Sequence, residues 1–541
     1  MQLKISNIKV SVGHPANLRQ WVVHSYPIAD EEIMDFKILR ESIDARKKNH
    51  IFYLYQVYVE LKNDRKDLLQ LDNISIYKAH EPVNYPQWQE ELPPVVVGFG
   101  PAGMFAALYL ARCGAKPVII ERGSRIEDRK AEVTEFLQHK RLNPNSNVQF
   151  GEGGAGTFSD GKLSTNINDR YISFILEEFH KHGATEDVCY AANPHVGTDY
   201  LEKVVRNIRE EIISLGGEFH FNTTFDDFQQ EGEIIQLHCH NGFSIKSKHV
   251  LLCLGHSARD TIKHLYAKGL NMEAKAFSMG VRIEHLQSDI NRMQYGKSAK
   301  LLPAASYRGV VHLKDRSVYT FCMCPGGVVM ASASEDGTIV TNGMSEKKRD
   351  KANANSALLV GINPEDYYLN SPLDGLNYQE KYEKLAFEVS GDYRAPANLV
   401  GEFLQGKIAK GHRKVKPSYP HGVVYCDLGR CLPAYAVKAL REALPLFDRK
   451  LRGFNDADAV MTGIESRSSS PVRILRDESR QSNIPGLYPV GEGAGYAGGI
   501  VSAALDGLKT AMKIVETHGR ASLLPRIVTP GIPAEFVGQR A

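Results

Sequence analysis

The chain has 541 residues, 43% hydrophobic and 24% charged, with 66 Lys and Arg against 63 Asp and Glu. Those proportions describe an ordinary soluble globular protein of two or three domains, and a net charge of +3 makes no case for nucleic acid or a membrane surface. Apolar runs fall short of a membrane span, and eight cysteines in so long a chain are too sparse for a disulfide framework, so a reducing, cytoplasmic setting is expected.

The N-terminal MQLKISNIKVSVGHP alternates apolar and polar residues and lacks the continuous core of a signal peptide. Ile5–Val12 and Ile51–Leu61 read as strands, with helical periodicity over Asp30–Ile43 between them. That order suits a ferredoxin-like α+β domain over residues 1–90. Its basic connection, Ser42–His50, is either a solvated loop or a docking segment for a partner. The proline-rich stretch 80–94 is a linker.

Val95–Val97 is an uninterrupted β-branched run, as in a buried parallel strand, and a glycine turn follows at once. Gly98 permits the tight turn, Gly100 lets backbone N–H groups approach a pyrophosphate, and Gly103 lets the next helix pack closely. Ala106, Ala107, Leu110 and Ala111 continue at helical spacing, and Pro117–Ile120 is a second strand ending in Glu121. An acid there accepts ribose hydroxyls and disfavours a 2′-phosphate, so the unit is expected to bind FAD or NAD rather than NADP.

The loop Gly151–Thr165, GEGGAGTFSDGKLST, is glycine-rich enough to lie on a flat ligand, with Lys162 supplying positive charge and Ser159, Ser164 and Thr165 hydrogen bonds. Its alternative is a surface loop with Lys162 in solvent. A helix is expected over Thr198–Leu215, then short antiparallel strands at Phe219–Thr223, Ile234–Cys239 and Phe243–Ile245, then a buried strand at Val250. His256 and Arg259 follow that strand; His256 is either an acid–base group or a packing residue.

From about residue 271 to 455 strands mix with long polar loops, the pattern of an inserted substrate or cap domain. FCMCPGG places Cys322 and Cys324 two apart on one strand face, where the side chains diverge from easy disulfide geometry. Each is either inert or, as a thiolate, a nucleophile or redox partner. Arg467 and Arg473 sit in a compact loop, where either anchors an acidic substrate or the cofactor pyrophosphate, or pairs with Glu465 or Asp477. No His/Cys cluster has metal-ligand spacing.

LYPVGEGAGYAGGIVSAAL, Leu487–Leu505, resembles the C-terminal flavin motif of FAD-binding oxidoreductases with a glutathione-reductase-type fold. VLLCLGHSARDT, Val250–Thr261, resembles the strand that returns beside the FAD. With GFGPAG, GGAGTFSDGKL, FCMCPGG and SRSSSPVRI, the chain resembles uncharacterised FAD-dependent dehydrogenases that carry an N-terminal ferredoxin-like domain. The resemblance implies an α/β fold: a Rossmann-like FAD domain over 91–270 and 456–520, a cap domain over 271–455 and a tail over 521–541.

It implies FAD held by Gly98, Gly100, Pro101, Ala102, Gly103, Glu121, Arg122, Gly154, Gly156, Thr157, Gly255, Gly491, Glu492, Gly493, Gly498, Ile500, Val501 and Ser502, with Glu492 at the ribityl chain. Lys162, His256, Cys322, Cys324, Arg467 and Arg473 are the candidates for catalysis on a small molecule that exchanges hydride or electrons with FAD. No second glycine fingerprint is present, so an external NAD(P)H donor would bind elsewhere. The alternative is a flavoprotein that serves a macromolecule, in RNA modification or electron transfer, through its first 90 residues.

Overall fold

The computed structural model describes residues 1–13 and 17–518; the expected tail 521–541 lies outside the described residues. A five-stranded parallel sheet runs, in spatial order, Glu218–His220, Val118–Ile120, Val95–Val97, Val250–Leu252 and Leu487–Pro489. Alternate side chains point to opposite faces. Val96, Ile119, Leu251 and Tyr488 enter one core, while Val95, Val97, Val118, Ile120, Val250 and Leu252 enter another. Both faces are covered, which is why these strands carry almost no polar residues. The helices Pro101–Arg112 and Ile500–His518 cover the first face. They approach so closely that a Cβ on Gly507 would lie 2.0 Å from the Ala102 carbonyl oxygen.

Phe219–Thr223 is not an antiparallel strand: its first residues belong to Glu218–His220, the parallel edge strand. The helix Thr198–Ser214 crosses over immediately before it, and a strand that follows a crossover helix returns parallel. The antiparallel three-stranded sheet is instead Phe225–Glu231, Ile234–Cys239 and Ser244–Ser247.

Asp30–Ile43 is not helical. Asp30–Glu32 makes one 3₁₀ turn, and Ile33–Asp44 is a strand paired along its length with Phe52–Leu61. Bulges between Ile33 and Asp35 and between Ile38 and Arg40 shift the phase of that strand. The resulting spacing of Ile33, Phe36 and Ile43 imitates a helical stripe. The helix of this region is Leu18–Ser25, capped by the Asn17 side chain. The four strands are ordered Ile33–Asp44, Phe52–Leu61, Gln2–Ser11, Ile74–Ile76.

A large, mainly antiparallel sheet centres on Phe277–Leu286, flanked by Asn353–Ile362 and Val460–Glu465. The long strand Ser317–Ala331 pairs beyond Asn353–Ile362. The chain therefore stays in this sheet through Glu465, past residue 456. Helices Asp374–Ser390 and Ala434–Lys450 contribute to its core.

Candidate functional site

In the parallel sheet the strand order reverses between Val95–Val97 and Val250–Leu252, and a crevice opens beyond their carboxyl ends. Gly98, at φ +97, turns there; a Cβ on it would lie 2.4 Å from the Cys253 carbonyl oxygen. A Cβ on Gly103 would lie 1.9 Å from the Gly98 oxygen, so the helix start rests directly on the turn. Gly100 differs: the nearest atom to its Cβ would be Gly154 Cα at 3.7 Å, and it faces a cavity of about 700 Å³.

The glycine loop 151–156 lies across this turn. A Cβ on Gly154, at φ +64, would stand 3.0 Å from Gly100 Cα, and one on Gly156 3.2 Å from Ile500 Cγ1. Three distant segments thus meet closely at Gly154 and Gly156, while Gly100 opens onto the cavity. Arg129 holds the loop in place. Fully buried in the helix Ile126–His139, it donates to the carbonyls of Asn147 (2.8 Å), Val148 (3.0 Å), Glu152 (2.6 Å) and Gly154 (3.0 Å). Burial pulls its guanidinium down to about 10. Sequence reasoning missed this residue. The signal was an arginine on the buried stripe Ile126, Val133, Phe136.

Glu121 is buried, and its carboxylate accepts from the N–H groups of Phe99 (2.8 Å), Gly123 (3.0 Å) and Gly151 (3.1 Å). Three of about four acceptor directions are used, which leaves one for a ribose hydroxyl where the sequence reading assigned two. Arg122 pairs with Asp260 and lies over the Phe150 ring. On the C-terminal side, Asp506 accepts from Gly491 N–H (2.8 Å), Arg476 (2.7 Å) and Arg480 (2.7 Å), pinning the turn before the last helix. Asp506 is a second positioning residue that the sequence did not announce. A Cβ on Gly493 would strike the Gly255 carbonyl at 2.4 Å.

At the other end of the cavity Lys162 lies 3.3 Å from Asp160 and donates to the Met323 carbonyl. Asp160 also pairs with Arg349. Cys322 sits in a β-bulge of the strand Ser317–Ala331, in left-handed backbone (φ +43) that non-glycine residues seldom adopt. Fully buried Arg282 donates to the Cys322 carbonyl (2.8 Å) and the Cys324 sulfur (3.7 Å) and pairs with Glu465 (3.0 Å). The neighbouring Cys324 thiol, with Lys162 and Arg282, holds the Cys322 thiol below its ordinary range against the opposing effect of burial. Burial raises Glu465 and Glu492 each to about 7. His256 has Nε2 2.6 Å from the Arg467 carbonyl and 3.9 Å from Glu492. Burial, then Arg467 and Arg259, lowers it to about 4.

Of the expected cofactor residues, Gly98, Gly100, Pro101, Ala102, Glu121, Arg122, Gly154, Gly156, Gly255, Glu492, Gly498 and Ile500 line the cavity. Gly103, Thr157, Gly491, Gly493, Val501 and Ser502 do not line it. Lys162, His256, Cys322 and Arg467 line it too; Cys324 is buried beneath Cys322.

Arg467 and Arg473, left open between anchoring a ligand and pairing with an acid, are both ion-paired. Arg473 belongs to the strand Val472–Ile474, outside the cavity, paired with Glu273 at 3.0 Å. Arg467 commits its guanidinium to fully buried Glu383 (2.7 Å) and to Ser334 (2.6 Å). Neither partner is Glu465 or Asp477. The exposed cation at the mouth is Arg308, whose side chain meets Asn166 at 3.3 Å and has no carboxylate partner among the described residues.

Residues 276–468 match the family described as FAD-dependent protein, C-terminal domain-like. Residues 1–60 match a domain of unknown function. An uncharacterized protein of Clostridium beijerinckii is 47% identical over 527 residues, covering 95% of this chain and 99% of that protein. Among solved structures, the halogenase PltM in complex with FAD is 10% identical over 79% of this chain and 70% of its own, at a TM-score of 0.38. A ternary complex of aklavinone-11 hydroxylase with FAD and aklavinone is 11% identical over 79% and 63%, at 0.31. At such scores the backbones overlap only loosely.

Proposed function

The chain belongs to the same family as the uncharacterized Clostridium beijerinckii protein, and from that premise we propose that it is an oxidoreductase that passes hydride or electrons between its cofactor and a small anionic molecule. The cofactor is FAD, named by the family of its C-terminal domain. The residues suit that group: a side-chain-free cradle at Gly100, Gly154 and Gly156 for the diphosphate, Glu121 for a ribose, and Glu492 toward the ribityl chain. One observation carries the reading: the cavity that begins at the Gly98–Ala102 turn runs on to Lys162, Cys322 and Arg308.

When bound, FAD supplies the acceptance and return of an electron pair. The N-terminus of the helix Ile500–His518, together with Lys162, stabilises negative charge at that end of the cavity. Arg308 orients an anionic substrate group at the mouth. Glu465 and Glu492, raised to about 7 by burial, hold protons within the same space. His256 stays neutral and fixes the Arg467 backbone rather than moving a proton.

The strand order supports a Rossmann-like reading of the parallel sheet and a ferredoxin-like reading of the first four strands. Electrons from an external NAD(P)H and a reducing, cytoplasmic setting remain part of the proposal. The decisive test pairs two variants. Gly100→Val puts its side chain into open cavity, so we expect a folded protein with a melting temperature close to wild type and no flavin absorbance. Gly103→Val drives a methyl into the Gly98 carbonyl and is expected to prevent folding. Fully loaded, yellow Gly100→Val would refute the cradle. For catalysis, stopped-flow mixing with NADH, NADPH and a panel of carboxylates should bleach or restore the flavin, with Arg308→Ala raising KM about tenfold or more. A flavin inert to every donor and acceptor would end the enzyme reading.

A further inference from the structure

Within the cavity just described, the segment at Cys322 and Cys324 departs from the strand it interrupts. Residues two apart on a strand share a face, but their side chains run side by side rather than toward each other. Here the bulge between Phe321 and Cys324 takes Cys322 out of register, and its left-handed backbone turns the chain back. As a result the Cys324 thiol donates to the Cys322 carbonyl oxygen at 3.3 Å. The bulge thus folds the Cys324 side chain onto the Cys322 backbone.

The two sulfurs are unequal in access. Cys322 faces the cavity, and Cys324 is buried behind it with no exposed surface. Two cations flank the pair: Lys162 from the cavity wall, held by Asp160 and the Met323 carbonyl, and Arg282 from beneath, 3.7 Å from Cys324. An accessible sulfur in positive surroundings, with a buried thiol two residues on that is folded against its backbone, is the arrangement of an attacking and a resolving thiol. Strained backbone of this kind persists where the surrounding structure enforces it, and such positions cluster at functional sites.

We infer that Cys322 and Cys324 are a redox-active dithiol that exchanges an electron pair with the cofactor bound in this cavity. The step balances as follows. The Cys322 thiolate and the Cys324 thiol form one S–S bond, releasing two electrons and one proton; these reduce oxidised FAD to its two-electron-reduced anion. In reverse, reduced FAD restores thiolate and thiol. The lowered pKa of Cys322 fits the role of attacking sulfur. Cys426 and Cys431 are both buried and line no part of this cavity, so they do not compete for it.

This inference rests on the flavoenzyme reading, and two measurements on full-length protein separate them. In the first, reduced protein is equilibrated anaerobically in glutathione buffers of rising oxidised fraction, remaining thiols are alkylated, and the peptide containing both cysteines is weighed. We expect both alkylation sites to vanish together, leaving a peptide lighter by two hydrogens. In the second, oxidised holoprotein is titrated with dithionite. The native chain should take up four electrons per bound flavin, and Cys324→Ser only two.

Thiols that stay free in every buffer, or native uptake of two electrons, would overturn the inference. A disulfide that forms while uptake stays at two overturns transfer to FAD. Protein that binds no flavin defeats the flavoenzyme reading, yet the first measurement still decides whether the pair exists. If Cys324→Ser does not fold, the native titration and the peptide masses decide alone.

Discussion

Burial holds the His256 imidazole at about 4, well below its ordinary 6.5, with Arg467 and Arg259 adding to the effect. As pH falls below about 6.5, the unfolded chain takes up a proton that the folded site refuses, so this residue's contribution to stability is lost progressively down to about pH 4. The full effect is on the order of 3 kcal/mol. His256→Gln removes it, so the gap in melting temperature between wild type and variant should be widest near pH 7.5 and narrow toward pH 4.5. A gap that does not change with pH would mean that the imidazole is not held neutral. In sequence, His256 stood open between an acid–base group and a packing residue. The choice depends on desolvation and on Arg467, more than two hundred residues away along the chain, which no local pattern reports.

The cradle is an assembly of elements, and Arg129 is what fixes one of them. Without its guanidinium the carbonyls of Asn147, Val148, Glu152 and Gly154 lose a buried donor, at about 1–3 kcal/mol for each group left unsatisfied. Arg129→Leu is therefore expected to cost about 3 kcal/mol or more and to release flavin; Arg129→Lys should recover only part, since an ammonium has three donors in the wrong geometry. Unchanged urea midpoint and flavin content in Arg129→Leu would contradict this. The glycines of this cradle were readable because each needs a backbone path that other residues refuse. The arginine beneath them was not, because its role depends on a loop that reaches it only after folding. The strand Ile33–Asp44 shows the converse error. Its bulges gave it a helix-like spacing, and pairing with Phe52–Leu61 decided its conformation.

On the scale of the molecule, the four-stranded N-terminal sheet touches the wall of the cavity. Glu41 N–H donates to the Tyr190 carbonyl at 2.8 Å, and the Glu41 carbonyl accepts from Ala192 N–H at 2.7 Å. Ala192, Asn193 and Pro194 then line the cavity itself. Removal of residues 1–79 should therefore raise amide exchange across residues 188–196 about tenfold or more, while Val95–Val97 at the sheet centre stays protected. Equal protection of residues 188–196 in both proteins would show that the N-terminal sheet does not brace the wall.

By itself the sequence determined the buried strands at Val95, Val118 and Val250, the turns that follow them and the glycines on which a dinucleotide can rest, but not the parallel direction of Glu218–His220. Those features follow from local backbone freedom and from burial on both faces of a strand, and each is written within a few consecutive residues. Only the tertiary structure decided which cations are free and which are spent: Arg467 on Glu383, Arg473 on Glu273, Arg308 on no carboxylate among the described residues. The same holds for Cys324, whose thiol a bulge brings onto the Cys322 carbonyl. Ion pairing and strand register join residues far apart in the chain, and the energies that select them arise only when the elements meet.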